Sequence, residues 1–174
     1  MASLAFWKAV VQDKSNFLER VFRLIEDAGF PYCVIGGVAV NAYAEPVVTQ
    51  DLDIVLAVED LPAARALLAR EFRVEELEHS LNVYDPGSRL QVQIRKDPQL
   101  SELLGRAERR DVLGLMLPVA APEDLLRLKV DAALEPTRRR SKRQKDLADI
   151  ARLIETHPHL REAVPAKIRR LLVE

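Results

Sequence analysis

Two neighbouring stretches decide the fold of this chain, Ile35-Gly-Gly-Val-Ala-Val-Asn-Ala-Tyr43 and Thr49-Gln-Asp-Leu-Asp-Ile54. The first begins where an apolar run over residues 32–35 ends, and such a run is typical of a buried strand. Gly36-Gly37 interrupts the run, and residues 38–44 are predicted to form a short helix. Glycine lets the backbone approach a phosphate closely, and N–H groups at a helix start attract anions. The first stretch therefore predicts a phosphate-binding turn, although Gly-Gly turns also serve purely structural roles.

The second stretch places two carboxylates close together. Residues 51–57 read as a strand, and side chains two apart on a strand project from the same face. Asp51 and Asp53 are therefore expected to point the same way, where their like charges repel unless a cation lies between them. Mg²⁺ favours one or two carboxylates together with substrate phosphate oxygens. The pair is a candidate metal site beside the phosphate-binding turn, and the structural alternative is a pair of exposed aspartates at a strand end.

Together the two stretches resemble the signature of minimal nucleotidyltransferases of the DNA polymerase β superfamily. They are most similar to the nucleotidyltransferase-like toxins of abortive-infection systems, the AbiEii/AbiGii type. A second motif of that family, a helix lysine followed by a Lys-Asp-x-x-Asp helix, is similar to Leu128-Lys129 and Lys145-Asp-Leu-Ala-Asp149. The resemblance covers roughly residues 30–155. It implies an α+β nucleotidyltransferase fold, in which helices flank a mixed β-sheet and the C-terminal portion is helical.

The resemblance also implies a reaction, the transfer of a nucleotidyl group from an NTP to a hydroxyl on RNA, protein or a small molecule. Asp51 and Asp53 would hold Mg²⁺ or Mn²⁺ on the phosphates, and Lys129 would place a positive charge near the triphosphate. These three are the candidate catalytic residues. The candidate nucleotide-binding residues are Gly36, Gly37, Thr49, Lys145, Asp146 and Asp149, of which the last three would brace the site or orient the lysine.

Two departures from the family pattern weaken the prediction of catalysis. Active members usually carry a third carboxylate on a later strand, where it completes the metal site and can accept a proton. The best candidate strand, residues 90–94, presents Gln91 and Gln93 on its polar face, and an amide cannot act as a base. Val47 stands where many relatives carry an arginine. Two acids close enough in sequence to substitute are Asp85 and Glu75. A second hypothesis is therefore a catalytically weakened protein that binds a nucleotide or a partner, for example as one half of a toxin–antitoxin pair.

The run Arg138–Lys145 supports a third hypothesis, a nucleic-acid-binding module. Six of its eight residues are basic, which is either a solvated surface or the edge of a groove that holds phosphates. The formal net charge of the whole chain is −1, so such binding would have to come from this local cluster. No aromatic residues interleave with it, which argues against base stacking.

The whole chain is predicted to consist of an α/β core with an N-terminal helix over residues 1–96 and a mostly helical portion over 97–174. One single domain is the alternative. The other predicted elements are helices over residues 4–28 and 61–71, strands over 72–76, 81–84 and 90–94, an extended segment over 115–119, and helices over 123–134, 142–155 and 166–172.

Composition indicates a globular protein, since 48% of the 174 residues are apolar and 30% are charged. The single cysteine, Cys33, lies in an apolar run and is expected to be a buried thiol. No stretch approaches the roughly 18 apolar residues of a membrane span. The N-terminus lacks a signal-peptide pattern, so a cytoplasmic location is expected. The sequence leaves the oligomeric state open.

Overall fold

The computed structural model describes residues 3–172. The helices are α1 (Leu4–Val10), α2 (Phe17–Asp27), α3 (Gly36–Val40), α4 (Leu61–Leu68), α5 (Pro122–Leu134), α6 (Arg140–Thr156) and α7 (Ala166–Leu172). The strands are β1 (Tyr32–Ile35), β2 (Asp51–Leu56), β3 (Arg73–Glu76), β4 (Ser80–Tyr84), β5 (Gln91–Arg95), β6 (Glu108–Val112) and β7 (Leu115–Val119). Shorter 3₁₀ segments span Val58–Asp60, Pro98–Arg106 and Pro158–Ala163. None of the helices within residues 3–172 is both long and apolar enough to cross a membrane.

The strands form one mixed sheet in the order β3-β4-β5-β2-β1-β7-β6. β2 is parallel to β5 and β1 is parallel to β7, whereas the other neighbouring pairs are antiparallel. The apolar residues of the central strands are buried, among them Val34, Leu52, Ile54 and Val92. The predicted α+β architecture with a mixed sheet is therefore confirmed, and the sheet takes strands from both sides of residue 97.

The centre of the sheet determines where the candidate site lies. β1 leads directly into α3, and Ile35 at its end pairs with Asp53 on β2. On the other side of β2, Asp51 and Asp53 pair with Gln91 and Gln93 of β5. α5 and α6 pack against each other and against α3, which brings the second sequence motif close to the first.

The prediction of one helix over residues 4–28 was wrong, because the chain turns between α1 and α2. The carboxylate of Asp13 is buried there and accepts the backbone N–H groups of Phe17 at 2.9 Å and Leu18 at 3.3 Å. Gln12 and Asn16 have positive φ angles of 52° and 53°. An aspartate that bonds the first N–H groups of a helix favours a helix start over a helix interior, and it prevails here over the apolar periodicity.

Strand β6 was also missed, because nothing in its sequence alternates. Residues 108–111 are all exposed and all charged, as suits an edge strand that must not pair with other chains. β6 and β7 form a hairpin whose turn is Leu113-Gly114, and both turn residues have positive φ. The sequence of a charged edge strand has no alternation of apolar residues, so the strand is recognised only by its pairing with a neighbouring strand, here β7.

Candidate active site

A cleft of about 510 Å³ opens beside the start of β2. The sequence singled out nine site residues, and eight of them line this cleft: Gly37, Thr49, Asp51, Asp53, Lys129, Lys145, Asp146 and Asp149. The ninth, Gly36, borders an adjoining cavity that also contains Asp53. Residues as far apart in the chain as Gly37 and Asp149 therefore meet at one surface.

Gly36 lies directly against the carboxylate of Asp53. Its φ of +75° is in the left-handed region, and a Cβ at this position would stand 2.5 Å from Oδ2 of Asp53. Both the backbone angle and the lack of space therefore require glycine. At Gly37, by contrast, φ lies outside the left-handed region. A Cβ there would stand 3.5 Å from Asp149 Oδ2, which is a normal van der Waals contact.

The two aspartates differ in their surroundings. Burial is the main cause that raises the pKa of the Asp53 carboxyl, and nearby Asp51 raises it further. The positive charges of Arg95 and Lys129 oppose this shift, with a smaller contribution from Lys142. Within residues 3–172, Asp53 has no hydrogen-bonding or ion-pair partner for its carboxylate, whereas Asp51 is more open and lies 3.5 Å from Lys142 Nζ. A bound cation would relieve the cost of ionising Asp53.

Lys129 lies at the centre of a chain of ion pairs. Its Nζ is 2.7 Å from Oδ2 of Asp149 and 3.2 Å from Oδ1 of Asp146. Asp146 is almost completely buried and also accepts a 2.8 Å hydrogen bond from Arg138. Asp149 is paired with Arg152 at 2.7 Å. Each carboxylate therefore has two cationic partners, so removing the lysine would leave neither of them unpaired.

Arg152 connects this chain of ion pairs to the loop before β2. It donates to Asn41 Oδ1 at 2.6 Å and to the carbonyl oxygen of Glu45. The Asn41 side chain in turn holds both the N–H and the carbonyl of Val47, each at 2.9 Å. The exposed Val47 lies at the edge of the cleft, so Arg152 and Asn41 together shape that edge.

Thr49 has a positioning contact within the same loop. Its hydroxyl accepts the backbone N–H of Asp51 at 3.3 Å, and its carbonyl accepts the indole N–H of Trp7 at 2.9 Å. Trp7 is buried on α1, so the N-terminal helix holds the segment that leads into the two aspartates.

The acids that could have replaced a third carboxylate lie elsewhere. Asp85 accepts a 2.5 Å hydrogen bond from Ser15 and pairs with Arg20, so it holds a turn. Glu75 is on β3, three strands from β2, which corresponds to about 14 Å at the usual strand spacing. Gln91 and Gln93 do lie beside the aspartates in the sheet, although neither lines the cleft.

The basic run is divided between two roles. Arg138, Lys142 and Lys145 line the cleft, and Lys145 makes no ion pair within the described part of the chain. Arg143 instead donates to the carbonyl oxygens of Ala133 and Glu135 at the end of α5, which is a structural role. The two remaining arginines of the run, Arg139 and Arg140, are exposed.

Sequence reasoning missed three arginines, Arg95, Arg138 and Arg152, as individual site residues. Arg95 follows Gln91 and Gln93 in the alternation of β5, so period-two counting would have placed it on the same face. Arg152 stands three residues after Asp149, a spacing that brings two residues together on a helix. Both signals were present, but the same spacings are common on solvent-exposed surfaces.

The residues of the cleft fit a divalent cation only in part. Among residues 3–172 no group of three or more histidine, cysteine, aspartate and glutamate side chains could hold a metal. Two carboxylates are nevertheless enough for Mg²⁺ when substrate phosphates supply further oxygens. The donor set therefore fits a cation that arrives together with a nucleotide.

Solved structures of nucleotidyltransferases share this architecture. The antibiotic-resistance factor ANT(2'')-Ia aligns with a TM-score of 0.56 at 13% identity, over 91% of this chain and 97% of its own. An antigenic nucleotidyltransferase-like protein from Paracoccidioides brasiliensis gives 0.56 at 19% identity, over 88% and 77%. The lincosamide antibiotic adenylyltransferase LnuA, solved with lincomycin bound, gives 0.54 at 12% identity, over 82% and 99%. The chain has a nucleotidyltransferase fold. No family model and no curated protein matches the sequence of this nucleotidyltransferase-fold protein.

Replacing Gly36 should damage both stability and the site. The substitution Gly36→Ala forces a left-handed backbone on alanine, which costs about 1–2 kcal/mol, and it also displaces the Asp53 carboxylate. Gly29→Ala is the matched control, because Gly29 has a φ of +74° with nothing within 4 Å of the added Cβ. Chemical denaturation should show a larger loss of unfolding free energy for Gly36→Ala. Equal losses for the two variants would contradict the close contact.

The raised pKa of Asp53 predicts how stability depends on pH. The folded protein binds this proton more tightly than the unfolded chain, so ionisation of Asp53 lowers the unfolding free energy as the pH rises from the ordinary carboxyl range through the folded pKa. Asp53→Asn removes this penalty and should raise the melting temperature at neutral pH. The gain should disappear in acid, where the carboxyl is protonated in both states. Asp27→Asn, an exposed site on α2, is the control, and a gain that is independent of pH would refute the prediction.

Proposed function

We propose that this protein is a nucleotidyltransferase that binds an NTP with Mg²⁺ or Mn²⁺ and transfers the nucleotidyl group to a hydroxyl acceptor. One observation carries the proposal: Asp51 and Asp53 share a cleft with five cationic side chains. These cations are Lys129, Arg138, Lys142, Lys145 and Arg152. A triphosphate needs both a carboxylate-held cation and surrounding positive charge, and this cleft offers the two together. The AbiEii/AbiGii-type resemblance supports the same activity.

The reaction requires an exchange of bonds at the α-phosphorus. The acceptor hydroxyl oxygen forms a bond to the α-phosphorus. The bond between the α-phosphorus and the oxygen that bridges it to the β-phosphate breaks, and pyrophosphate leaves. The hydroxyl proton passes to water. Asp51 and Asp53 would hold the divalent ion, which supplies charge stabilisation to the attacking and leaving oxygens.

The remaining residues act by position and charge. Lys129 is fixed between Asp146 and Asp149, so it presents a positive charge at a constant place near the aspartates. Lys145 is exposed on the cleft and is free to contact phosphate oxygens. Gly36 lets the Asp53 carboxylate lie directly against the turn, and Gly37 adds no side chain where the turn borders the cleft.

Nucleotide binding should depend on Asp53. Titration calorimetry of Mg-ATP and Mg-GTP should show that Asp53→Asn raises the Kd more than about tenfold, because the neutral amide holds the cation poorly. Asp27→Asn, remote from the cleft, should match the wild-type protein. If Asp53→Asn binds every nucleotide as tightly as wild type, the carboxylate does not belong to the binding site.

A second candidate function is a catalytically weakened protein that binds a nucleotide or a partner, as in a toxin–antitoxin pair. The specific observation in its favour is the register of β5, which places Gln91 and Gln93 beside Asp51 and Asp53. A neutral amide at this position neither attracts a second cation nor accepts a proton.

Introducing an acid on β5 separates the two candidates. General-base assistance is worth about 10²- to 10⁴-fold in rate, so transfer by the wild-type protein should be slow and Gln93→Asp should accelerate it. Gln93 is preferred because it pairs with Asp53, and Gln91→Asp is the control. The assay follows labelled NTP with Mg²⁺ or Mn²⁺ in cell extract.

Two outcomes would change the conclusion. Fast transfer by the unmodified protein would show that another group completes the site. Absence of transfer by both variants, with NTP binding intact, would favour the binding protein.

A further inference from the structure

Two lysines of the cleft differ in how firmly they are held. Nζ of Lys129 lies 2.7 Å from Asp149 and 3.2 Å from Asp146, and 14% of its side chain is exposed. Nζ of Lys142 lies 3.5 Å from Oδ2 of Asp51, and 42% of its side chain is exposed. Within the part of the chain that the structure describes, Asp51 is the only carboxylate at ion-pair distance from Lys142. Lys129 is therefore fixed, whereas Lys142 has one loose contact that it can give up at little cost.

The contact of Lys142 is with one of the two carboxylates that are candidates for holding a divalent cation. Asp51 and Asp53 lie two residues apart on β2, and both line the cleft together with Lys142. The positive charge of Lys142 also acts on Asp53, although more weakly than the charges of Arg95 and Lys129. Lys142 therefore supplies positive charge to the same pair of aspartates that would bind a metal ion.

A lysine in this position competes with a free metal ion. An ammonium group and a divalent cation beside the same carboxylate repel each other, so the ion binds well only if Lys142 moves away. In the absence of nucleotide, the displaced ammonium group would exchange its carboxylate partner for water. The ion pair between Lys142 and Asp51 should therefore weaken the binding of a metal ion on its own.

A triphosphate gives the displaced lysine a new partner. Lys142 lies in the first turn of α6, where no residue is acidic and no side chain among residues 3–172 caps the helix start. A positive charge is unfavourable there, because the helix dipole is itself positive at its N-terminus, and an anion in the cleft would offset both. The flexible side chain of Lys142 lines the cleft and can turn from Asp51 to a phosphate oxygen without movement of the backbone.

We propose that Lys142 is an exchangeable counter-ion of the metal site: it pairs with Asp51 in the free protein and moves to the triphosphate when an NTP enters. This inference rests on the proposed function, because it assigns the triphosphate and its cation to the cleft. The exchange couples the binding of the two ligands, so that each increases the affinity for the other. The protein therefore holds little metal by itself and takes up the metal–NTP complex as a unit.

Metal binding without nucleotide tests the exchange. Mn²⁺ is titrated into the full chain, and the free ion is measured by electron paramagnetic resonance. Lys142→Met removes the charge at an exposed position and keeps most of the length of the side chain. This variant should bind Mn²⁺ about threefold more tightly than the wild-type protein, because the competing ammonium group is gone. Loss of a side chain that served only the folded structure would not tighten metal binding.

Two further variants locate the effect. Lys145→Met removes the same charge from the same cleft, but Lys145 makes no ion pair within the described residues, so its Mn²⁺ affinity should change by less than about twofold. Asp51→Asn added to Lys142→Met should abolish the gain. The proposal would be overturned by an unchanged Mn²⁺ affinity of Lys142→Met, by an equal gain in Lys145→Met, or by a gain that survives Asp51→Asn. Absence of measurable Mn²⁺ binding by every variant would overturn it as well.

Titration calorimetry with Mg-ATP separates this inference from the proposed function. Lys142→Met should bind Mg-ATP about threefold more weakly than wild type, because the charge that moves to the phosphates is missing. Tighter Mn²⁺ binding with unchanged Mg-ATP binding would refute the movement to the triphosphate. If wild type binds no Mg-ATP while Lys142→Met gains Mn²⁺ affinity, the proposed function fails and the competition at Asp51 is supported. If wild type binds Mg-ATP and Lys142→Met gains no Mn²⁺ affinity, only the exchange fails.

Discussion

The close contact between Gly36 and the carboxylate of Asp53 is the constraint around which the site is built. The chain places a partly buried carboxylate, that of Asp53, in the middle of the sheet and directly against Gly36. Any other residue at position 36 would displace this carboxylate. Burying a charge without a partner is costly, so cations must stand nearby. Arg95 comes from β5 and Lys129 from α5, and both offset the burial of Asp53. Through Lys129, the packing of α5 on the sheet thereby affects the charge of Asp53 on β2.

Lys129 is held more firmly than a surface lysine would be. Asp146 and Asp149 fix its amine, and Arg138 and Arg152 balance the two carboxylates. The network has three cations and two anions, so it remains positive overall where it borders the cleft. The ion pairs join α5, α6 and the loop before β2, and they therefore position several lining residues at the same time. Such preorganisation lets a charge act on a ligand without first being ordered.

Fold and function rest on different observations in this protein. Structures that are 12–19% identical share its architecture, which shows that few residue identities are needed to maintain this sheet. Activity has to be argued from the groups that meet in the cleft, because one fold can carry several functions. Here the carboxylates of β2 and the cations of α5, α6 and the segment between them support nucleotidyl transfer, whereas the amides of β5 are the feature that opposes it.

The sequence by itself determined the strand, glycine turn and paired aspartates, since these follow from near-neighbour geometry: a period of two on a strand and the freedom of glycine. It also identified Lys129, Asp146 and Asp149 through a motif on two helices. It could not show that Asp13 divides the first helix, because apolar periodicity alone does not reveal which backbone groups a side chain bonds. Only the tertiary structure decided that Arg95 and Arg152 join the site and that a second cavity reaches Asp53. These contacts link residues up to 111 positions apart, and local rules do not specify where distant helices dock.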